Sequence, residues 1–277
     1  MRWGRVRGYK DLLREAIPED VLKLIPRSYD IVGDVALINL PKELLTYGKA
    51  VGEAILKVNK NLRAVYAVGM TVGDFRVREL THLAGEDKPV TIHKEYGIRI
   101  CVDLRNAYYN PSLAEERRRV ANEVHDGELI LDLFAGVGPF TLHIACTKKA
   151  SVLANDLNPH AVVCLRKSLE MCGKAIKGIV NVVNGDAAEV LNMLRDETFD
   201  KAILNLPHKS LQYVLDTYRV VKVGGTIYTY VLALKESEAV TGVENALSGV
   251  KHLVSNVSRV IDYAPRKYIY RVKVIKN

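Results

Sequence analysis

The chain has 277 residues, 48% of them hydrophobic and 26% charged; that length suits one large domain, or an α/β domain with a smaller companion, and that composition carries enough apolar material to offset the chain entropy lost on folding, which argues against intrinsic disorder. No uninterrupted apolar run approaches the ~20 residues of a bilayer span, and the start, MRWGRVRGYKDLLREAIPED, has no apolar stretch like that of a signal peptide, so a soluble cytoplasmic protein without a membrane partner is expected. The net charge is +8 and uneven: residues 251–277 hold seven Lys or Arg against one acid, Asp262, and the first ten hold Arg2, Arg5, Arg7 and Lys10 against none, a distribution that suits a polyanionic partner and equally one that aids solubility.

In chain order, Asp11 to Ala16 reads as a short helix stopped before Pro18, and Glu19 to Leu24 as a second ending before Pro26. Asp30 to Leu40 reads as a strand or hairpin arm. Lys42 to Val58 has a rough helical stripe of Leu44, Leu45, Val51, Ile55 and Leu56. Leu62 to Val68 and Glu79 to Leu83 read as strands, and Pro89 to Lys94 and Ile98 to Leu104 as a strand pair. Together, residues 1–104 make a small α+β domain.

From residue 105 onward, strands and helices alternate. Helices are expected at Asn110–Val124, Pro139–Thr147, Pro159–Met171, Ala187–Leu194, Ser210–Val221 and Glu236–Leu247. Strands are expected at Glu128–Phe134, Ser151–Asp156, Val180–Asn184, Asp200–Leu204 and Gly225–Leu232, with two closing strands near Val254–Ile261 and Tyr268–Ile275. Such alternation implies a parallel sheet with helices on both faces. A closing hairpin on such a sheet resembles that of class I methyltransferases, and the resemblance implies an α/β, Rossmann-like domain of that class over 105–277, with a mostly parallel seven-stranded sheet.

The four cysteines, Cys101, Cys146, Cys164 and Cys172, form no C-x-x-C pair and no zinc spacing with histidine, so no metal is expected and isolated reduced thiols are.

The first strand of the second segment runs into LILDLFAGVGPF, residues 129–140. Gly136 and Gly138 permit positive φ and close backbone approach. The third glycine of a dinucleotide fingerprint is missing, and Asp132 at the strand end would repel a pyrophosphate. An acid there suits the positive amino-acid moiety of S-adenosylmethionine, which has no phosphate. Asp156 in LANDLNP, Asp186 in NGDA and Asn205 in NLPH close the next three strands. Ligands of parallel sheets bind at those ends. Asp156 is placed to accept ribose hydroxyls and Asp186 to reach the adenine amino group. One strand-end Asp alone is usually a helix cap; four polar strand ends together point to one site.

These motifs, with IPRSYDIVGDVALINLP (Ile25–Pro41), GDFRVRELTHLAGE (Gly73–Glu86), YYNPSLAEERRRVA (Tyr108–Ala121) and NLPHKS (Asn205–Ser210), resemble the archaeal and eukaryotic tRNA (guanine-37, N1)-methyltransferases over most of the chain. The resemblance implies transfer of the methyl group of S-adenosyl-L-methionine to N1 of guanosine 37, with tRNA as partner. It implies Glu116 as general base, Arg76 as the contact to guanine O6, and Asn205 as the residue positioning the base. Arg117 matches a cofactor contact. Phe134, Leu157, Asn158, Ala187 and Pro207 complete the expected cofactor site beside Asp132, Gly136, Gly138, Asp156, Asp186 and Asn205. The family often has a further N-terminal domain that contacts the tRNA elbow. IPRSYD begins at residue 25, which leaves no room for it in this sequence, whether the member lacks it naturally or the chain is truncated, and dependence on the anticodon stem-loop more than on the elbow is expected. A monomer is expected.

Read from the residues alone, each acceptor-side assignment has a rival. Glu116 lies in the charge run Glu115–Arg119, which also describes a solvated helix face. Arg76 alternates with Arg78, as on an exposed strand. Asn205-Leu206-Pro207 is also a plain strand-to-helix turn. Tyr108 and Tyr109 suit stacking on an extruded base and equally the core of a domain junction. Rival activities are aminocarboxypropyl transfer or C7-methylation on the tricyclic guanine-37 derivative of the wybutosine pathway. A non-catalytic RNA-binding module is the rival from another class.

Overall fold

The computed structural model describes residues 8–73 and 77–277. The chain divides into two compact units, one ending at Pro111 and one spanning Ser112–Asn277.

The first unit opens with a 3-10 turn, Tyr9–Leu13, where a longer helix was expected, and continues into α1 (Glu19–Leu24). A hairpin of β1 (Asp30–Val32) and β2 (Val35–Ile38) follows. The helix expected over 42–58 is a 3-10 segment, Lys42–Tyr47, running into α2 (Gly48–Val58). β3 (Ala64–Val72) lies parallel to β2, and β4 (Val77–Gly85) antiparallel to β3. A parallel neighbour needs a crossover, and α2 supplies it. Its Val51, Ala54 and Ile55 are buried with Ile38, Val65 and Leu83. At Gly52 a Cβ would stand 2.7 Å from Ala84 Cβ, so the glycine lets the helix seat on β4. β5 (Val90–Glu95) and β6 (Ile98–Asp103) form a separate ribbon. Tyr96 and Gly97, both at positive φ, make its two-residue turn.

The second unit contains α3 (Ala114–Asn122), β7 (Leu129–Asp132), α4 (Pro139–Thr147), β8 (Ser151–Asp156), α5 (Pro159–Cys172) and β9 (Ile179–Asn184). It continues with α6 (Ala187–Met193), β10 (Phe199–Leu204), α7 (Val214–Val220), β11 (Val221–Ala233), α8 (Glu236–Ala246), β12 (His252–Ala264) and β13 (Lys267–Lys276). The seven strands lie in the order β12-β13-β11-β10-β7-β8-β9. β7 to β11 are parallel, and β13 is antiparallel to both its neighbours. Leu131, Ala202, Leu204 and Ile227 from the strands pack with Leu191, Val214 and Val243 from the helices in one core.

Two expectations shift. The helix expected over 210–221 is a 3-10 turn, Ser210–Gln212, followed by α7, and β11 starts at Val221 rather than Gly225. The register slips between Phe199↔Val221 and Lys201↔Thr226, and Gly224 at φ +77° takes up the extra chain: the two glycines mark a bulge, not a strand start. The thiols of Cys146 and Cys172 are not isolated from each other but meet in hydrogen-bond contact. Burial first, and then the second thiol, push Cys146 up to about 12. Among the described residues no helix is long and apolar enough to cross a membrane.

Candidate active site

β7 is the strand from which the chain moves first one way, to β8 and β9, and then the other, to β10 and β11. A crevice opens at the carboxyl ends of strands at such a switch point. Asp132 ends β7 and is wholly buried. Its Oδ2 accepts from the Thr141 hydroxyl at 2.7 Å, while its Oδ1 has no hydrogen-bond partner. Burial pushes its carboxyl up to about 7; Thr141 and the charge of Arg117 oppose the shift, and Asp156 adds to it.

The turn after β7 wraps the next strand end. Gly136 N–H donates to Asp156 Oδ2 at 2.6 Å, and Asn158 N–H donates to Oδ1 at 2.9 Å. Burial raises the Asp156 carboxyl, against those two amides. Gly136 has φ +57°, and a Cβ built on it would meet nothing within 4 Å, so the glycine backbone borders open space. Gly138, at φ +80°, serves packing instead: a Cβ there would lie 2.1 Å from Leu165. It caps α4, with Pro139 at the first helical position.

The other strand ends adjoin this turn. Asn184 Nδ2 donates to the carbonyls of Asp156 and Leu157 at 2.8 and 3.0 Å, and Gly185 N–H to that of Asp156 at 3.3 Å. Asp186 caps α6 through Oδ1, accepting from Ala188 and Glu189 N–H. The cap role thus uses one carboxylate oxygen. Leu157 is exposed, Asn158 is buried as the cap of α5, and Ala187 lies in the core. On the other side, Leu133 N–H bonds Ile203 O, joining the ends of β7 and β10. Phe134 packs edge-to-face on Tyr213 at 5.1 Å. Asn205 is half-buried and is followed by a tight turn in which Lys209 and Ser210 N–H both bond Leu206 O. Pro207 O accepts from Leu232 N–H and the Ser210 hydroxyl donates to Tyr230 O, which straps the turn to β11.

Glu116 is not on a solvated face. It is 5% exposed on α3, and its Oε1 accepts from the Tyr230 hydroxyl at 2.9 Å and from Arg271 Nη1 at 3.0 Å. Arg119 Nη1 lies 3.6 Å from Oε2. Burial pushes the carboxyl up, and Arg271, Tyr230 and Arg119 only partly offset it. Arg117 is buried next to it on α3.

Arg76 lies outside the described residues. In the first unit, Tyr109 is buried, its hydroxyl bonded to Glu95 and its ring edge-to-face with His93 at 5.4 Å, the surroundings of a core residue. Tyr108 is half-buried, with the Arg78 guanidinium 5.7 Å over its ring. Arg2, Arg5 and Arg7 also lie outside the described residues. Lys10 donates to Ile25 O, and Lys273 is committed to Glu123 at 2.6 Å, so neither is a ready phosphate contact. Sequence reasoning missed Thr141, Tyr230 and Arg271. The signal available for Arg271 was a strand, YIYRVKVIK, in which cations are set among apolar and aromatic residues, an arrangement that is costly unless they are paired.

The strand order, the glycine turn and the two strand-end carboxylates define a Rossmann-like class I methyltransferase fold. Residues 91–258 match the TRM5/TYW2 methyltransferase domain and residues 9–88 the TYW2 N-terminal domain. The tRNA (guanine(37)-N(1))-methyltransferase Trm5b of Pyrococcus abyssi is 35% identical over 95% of this chain and 78% of its own. The crystal structure of that Trm5b superposes with a TM-score of 0.84 at 32% identity, covering 97% of this chain and 80% of the other. The complex structure of aTrm5 and tRNALeu superposes at 0.85 and 30% identity, over 99% and 79%. The chain belongs to the TRM5/TYW2 methyltransferase family.

Proposed function

We propose that this protein is a tRNA (guanine-37, N1)-methyltransferase, using S-adenosyl-L-methionine and acting as a cytoplasmic monomer. The observation that carries the reading is the glycine-bordered space at the end of β7, flanked by the buried Asp132 and the half-buried Asp156, on the same edge of the sheet as Asn205, which follows β10. The donor set fits the cofactor. Asp132 has an orphaned, buried oxygen that an ammonium group would satisfy, restoring the carboxylate's charge. Each Asp156 oxygen accepts one amide and has a further lone pair for a ribose hydroxyl. Asp186, capping α6 through Oδ1, would offer its second oxygen to the adenine amino group, and Arg117, Phe134, Leu157, Asn158, Ala187 and Pro207 complete the proposed lining. When bound, the cofactor supplies an electrophilic methyl group on a sulfonium.

The chain's own residues meet the acceptor's needs. Guanine N1 holds a proton and is a poor nucleophile until it is removed. Glu116 accepts that proton, and burial raises its carboxyl toward the range a general base needs. Arg76 donates to O6, where charge gathers as N1 loses its proton. Asn205, fixed by the strapped turn behind it, holds the base edge in place for attack. Tyr108 is the more accessible of the two tyrosines for stacking. A target in the anticodon stem-loop is the proposed site of engagement.

Aminocarboxypropyl transfer is the second reading, favoured by the match of residues 9–88 to a TYW2 N-terminal domain. Nucleoside mass analysis of guanine-37 tRNA incubated with labelled cofactor separates the two. A 1-methylguanosine product is expected; an aminocarboxypropyl adduct, or no product, overturns the first reading.

A further inference from the structure

Glu116 is held by one of two stacked, look-alike triads. In the upper one, Glu116 Oε1 takes the Tyr230 hydroxyl and Arg271. In the lower one, Glu123 Oε2 takes the Tyr228 hydroxyl at 2.9 Å and Lys273 at 2.6 Å. The spacing explains the repetition. Glu116 on α3 and Glu123, the residue that caps its C-terminus, are seven residues apart and so lie about two turns from each other on one side of the helix. Tyr228 and Tyr230 alternate on β11 and stand directly opposite Lys273 and Arg271 on β13. Successive residues two apart on a strand share a face, so the same layout recurs one step along the sheet.

The triads differ in depth and position. Tyr230 lies one residue beyond Thr229, the pairing partner of the last β10 residue, Leu204, and so at the carboxyl edge of the sheet, level with Asn205. Tyr228 lies two residues back toward the amino edge. The side chains of Glu116 and Arg271 are each 5% exposed, against 30% and 25% for Glu123 and Lys273. In the upper triad both strong donors converge on the same oxygen. Among the described residues Oε2 has only Arg119 near it, at 3.6 Å and beyond hydrogen-bond distance. A buried carboxylate with one oxygen doubly anchored and the other lightly held is oriented and charged, yet keeps a basic lone pair.

We infer that Arg271 and Tyr230 are positioning residues for the acceptor chemistry: they fix Glu116 through Oε1 and keep it ionised, so that Oε2 takes the N1 proton. This rests on the reading of Glu116 as the base. The proton passes from guanine N1 to Oε2 and the N–H electron pair stays on N1; that pair would form the new bond to the methyl carbon as the carbon's bond to the donor sulfonium breaks, the sulfur keeping the electrons and leaving as a neutral thioether. The groups facing Glu116 are Arg271 from β13, Tyr230 from β11 and Arg119 from α3 itself. α4, packed along α3, carries His143 as a buried titratable side chain. Arg271 is in turn oriented by Asn256 Oδ1, which accepts from Nη2 at 3.2 Å. Without Arg271, the buried carboxyl loses the partner that most opposes its protonation and holds its proton to higher pH.

The test is a single-turnover methylation series at saturating cofactor and tRNA, from pH 6 to 9. Arg271→Met is expected to slow the step at pH 7 by about 10- to 100-fold, part of the roughly 10²–10⁴-fold that a general base supplies. The loss should narrow toward high pH, and Arg271→Lys should restore part of the rate. Tyr230→Phe, the variant least disturbing to folding, should show a smaller loss in the same direction. Tyr228→Phe removes the equivalent hydroxyl from the lower triad and should leave rate and pH profile unchanged. The deciding measurement is the double variant Glu116→Gln with Arg271→Met. If Arg271 acts through Glu116, the double variant is no slower than Glu116→Gln alone. Additive losses, or an Arg271→Met or Tyr230→Phe loss that is flat with pH, overturn the inference while leaving Glu116 as base. A Glu116→Gln enzyme at near-normal rate overturns the base assignment itself.

Discussion

At the amino edge of the seven-stranded sheet, Glu128 and Asp200, beside the central strands, each have a cation. Glu128 is paired with Lys201, and Asp200 accepts from Lys222 at 2.7 Å and from Leu129 N–H at 2.8 Å. Burial would raise Asp200, but these donors hold it below the usual carboxylate range. At the carboxyl edge of the same sheet, Asp132 and Asp156 face each other with amides and one hydroxyl for company, and both are raised. A fold can satisfy buried charge when stability is all that is at stake. Leaving it under-satisfied in one crevice costs stability, and that cost marks a place kept for a ligand.

The largest expected effect belongs to Glu116 on α3, a carboxyl that burial raises although Arg271 is paired with it. Glu116→Gln should preserve cofactor and tRNA binding and lower single-turnover rate by about 10²–10⁴-fold. The deficit should shrink as pH rises, because hydroxide and spontaneous N1 ionisation take over the base's task. Rapid-quench assays across pH measure both.

Asp132 and Asp200 should then show opposite pH signatures in thermal unfolding. Asp132 is raised to about 7 by burial, above its unfolded value of ~3.9. The native state holds its proton where the unfolded state has released it, so wild-type stability falls as pH rises through that window. Asp132→Asn should therefore melt higher than wild type at pH 8, by about 2–4 kcal/mol, with the gain vanishing near pH 4, and should bind cofactor less tightly. Asp200 is lowered, so its stabilisation is present above ~3.9 and fades as pH falls through its native value. Asp200→Asn should melt lower than wild type at neutral pH, converge with it in acid, and leave cofactor affinity unchanged. Parallel pH profiles for the two variants would erase the distinction between the edges.

Asp156→Ala comes next. It should weaken cofactor binding by roughly 1.5–3 kcal/mol, the scale of hydrogen bonds to a charged group, with the fold intact. Unchanged affinity by calorimetry would return Asp156 to the role of a turn clamp between Gly136 and Asn158.

These edges were unequally legible in the sequence. The strand ends could be read because Asp132, Asp156, Asp186 and Asn205 each close a local apolar run, and both glycines stand within six residues of Asp132. Periodicity reports such local facts. The surroundings of Glu116 could not be read, because Tyr230 and Arg271 reach it from 114 and 155 residues away; locally, the run Glu115–Arg119 has the look of a solvated face. β11 was also misjudged at its start, since Gly224 and Gly225 look like a turn and only the pairing with β10 shows a bulge. Asp186 illustrates a third case: its capping role was legible, but the cap uses Oδ1 alone and local sequence says nothing of the second oxygen.

The smallest effect concerns the cations that the sheet does not use. Lys201, Lys222 and Lys276 at the amino edge are paired with Glu128, Asp200 and Glu197. Arg266 and Lys267, at the exposed tip between β12 and β13, have no ion pair among the described residues, whereas nearby Arg259 is tied to Asp262 and lies over Tyr268. A paired lysine brings little net charge to a phosphate, because its carboxylate must first be given up. An unpaired one releases a counterion from the RNA for each contact made. Arg266→Ala and Lys267→Ala should each weaken tRNA binding a few-fold and lower the slope of log affinity against log salt by about one. Lys222→Ala should leave that slope as it is. Equal slopes in all three variants would show that the hairpin tip does not meet the tRNA backbone, and would leave the basic surplus of residues 251–277 to solubility alone.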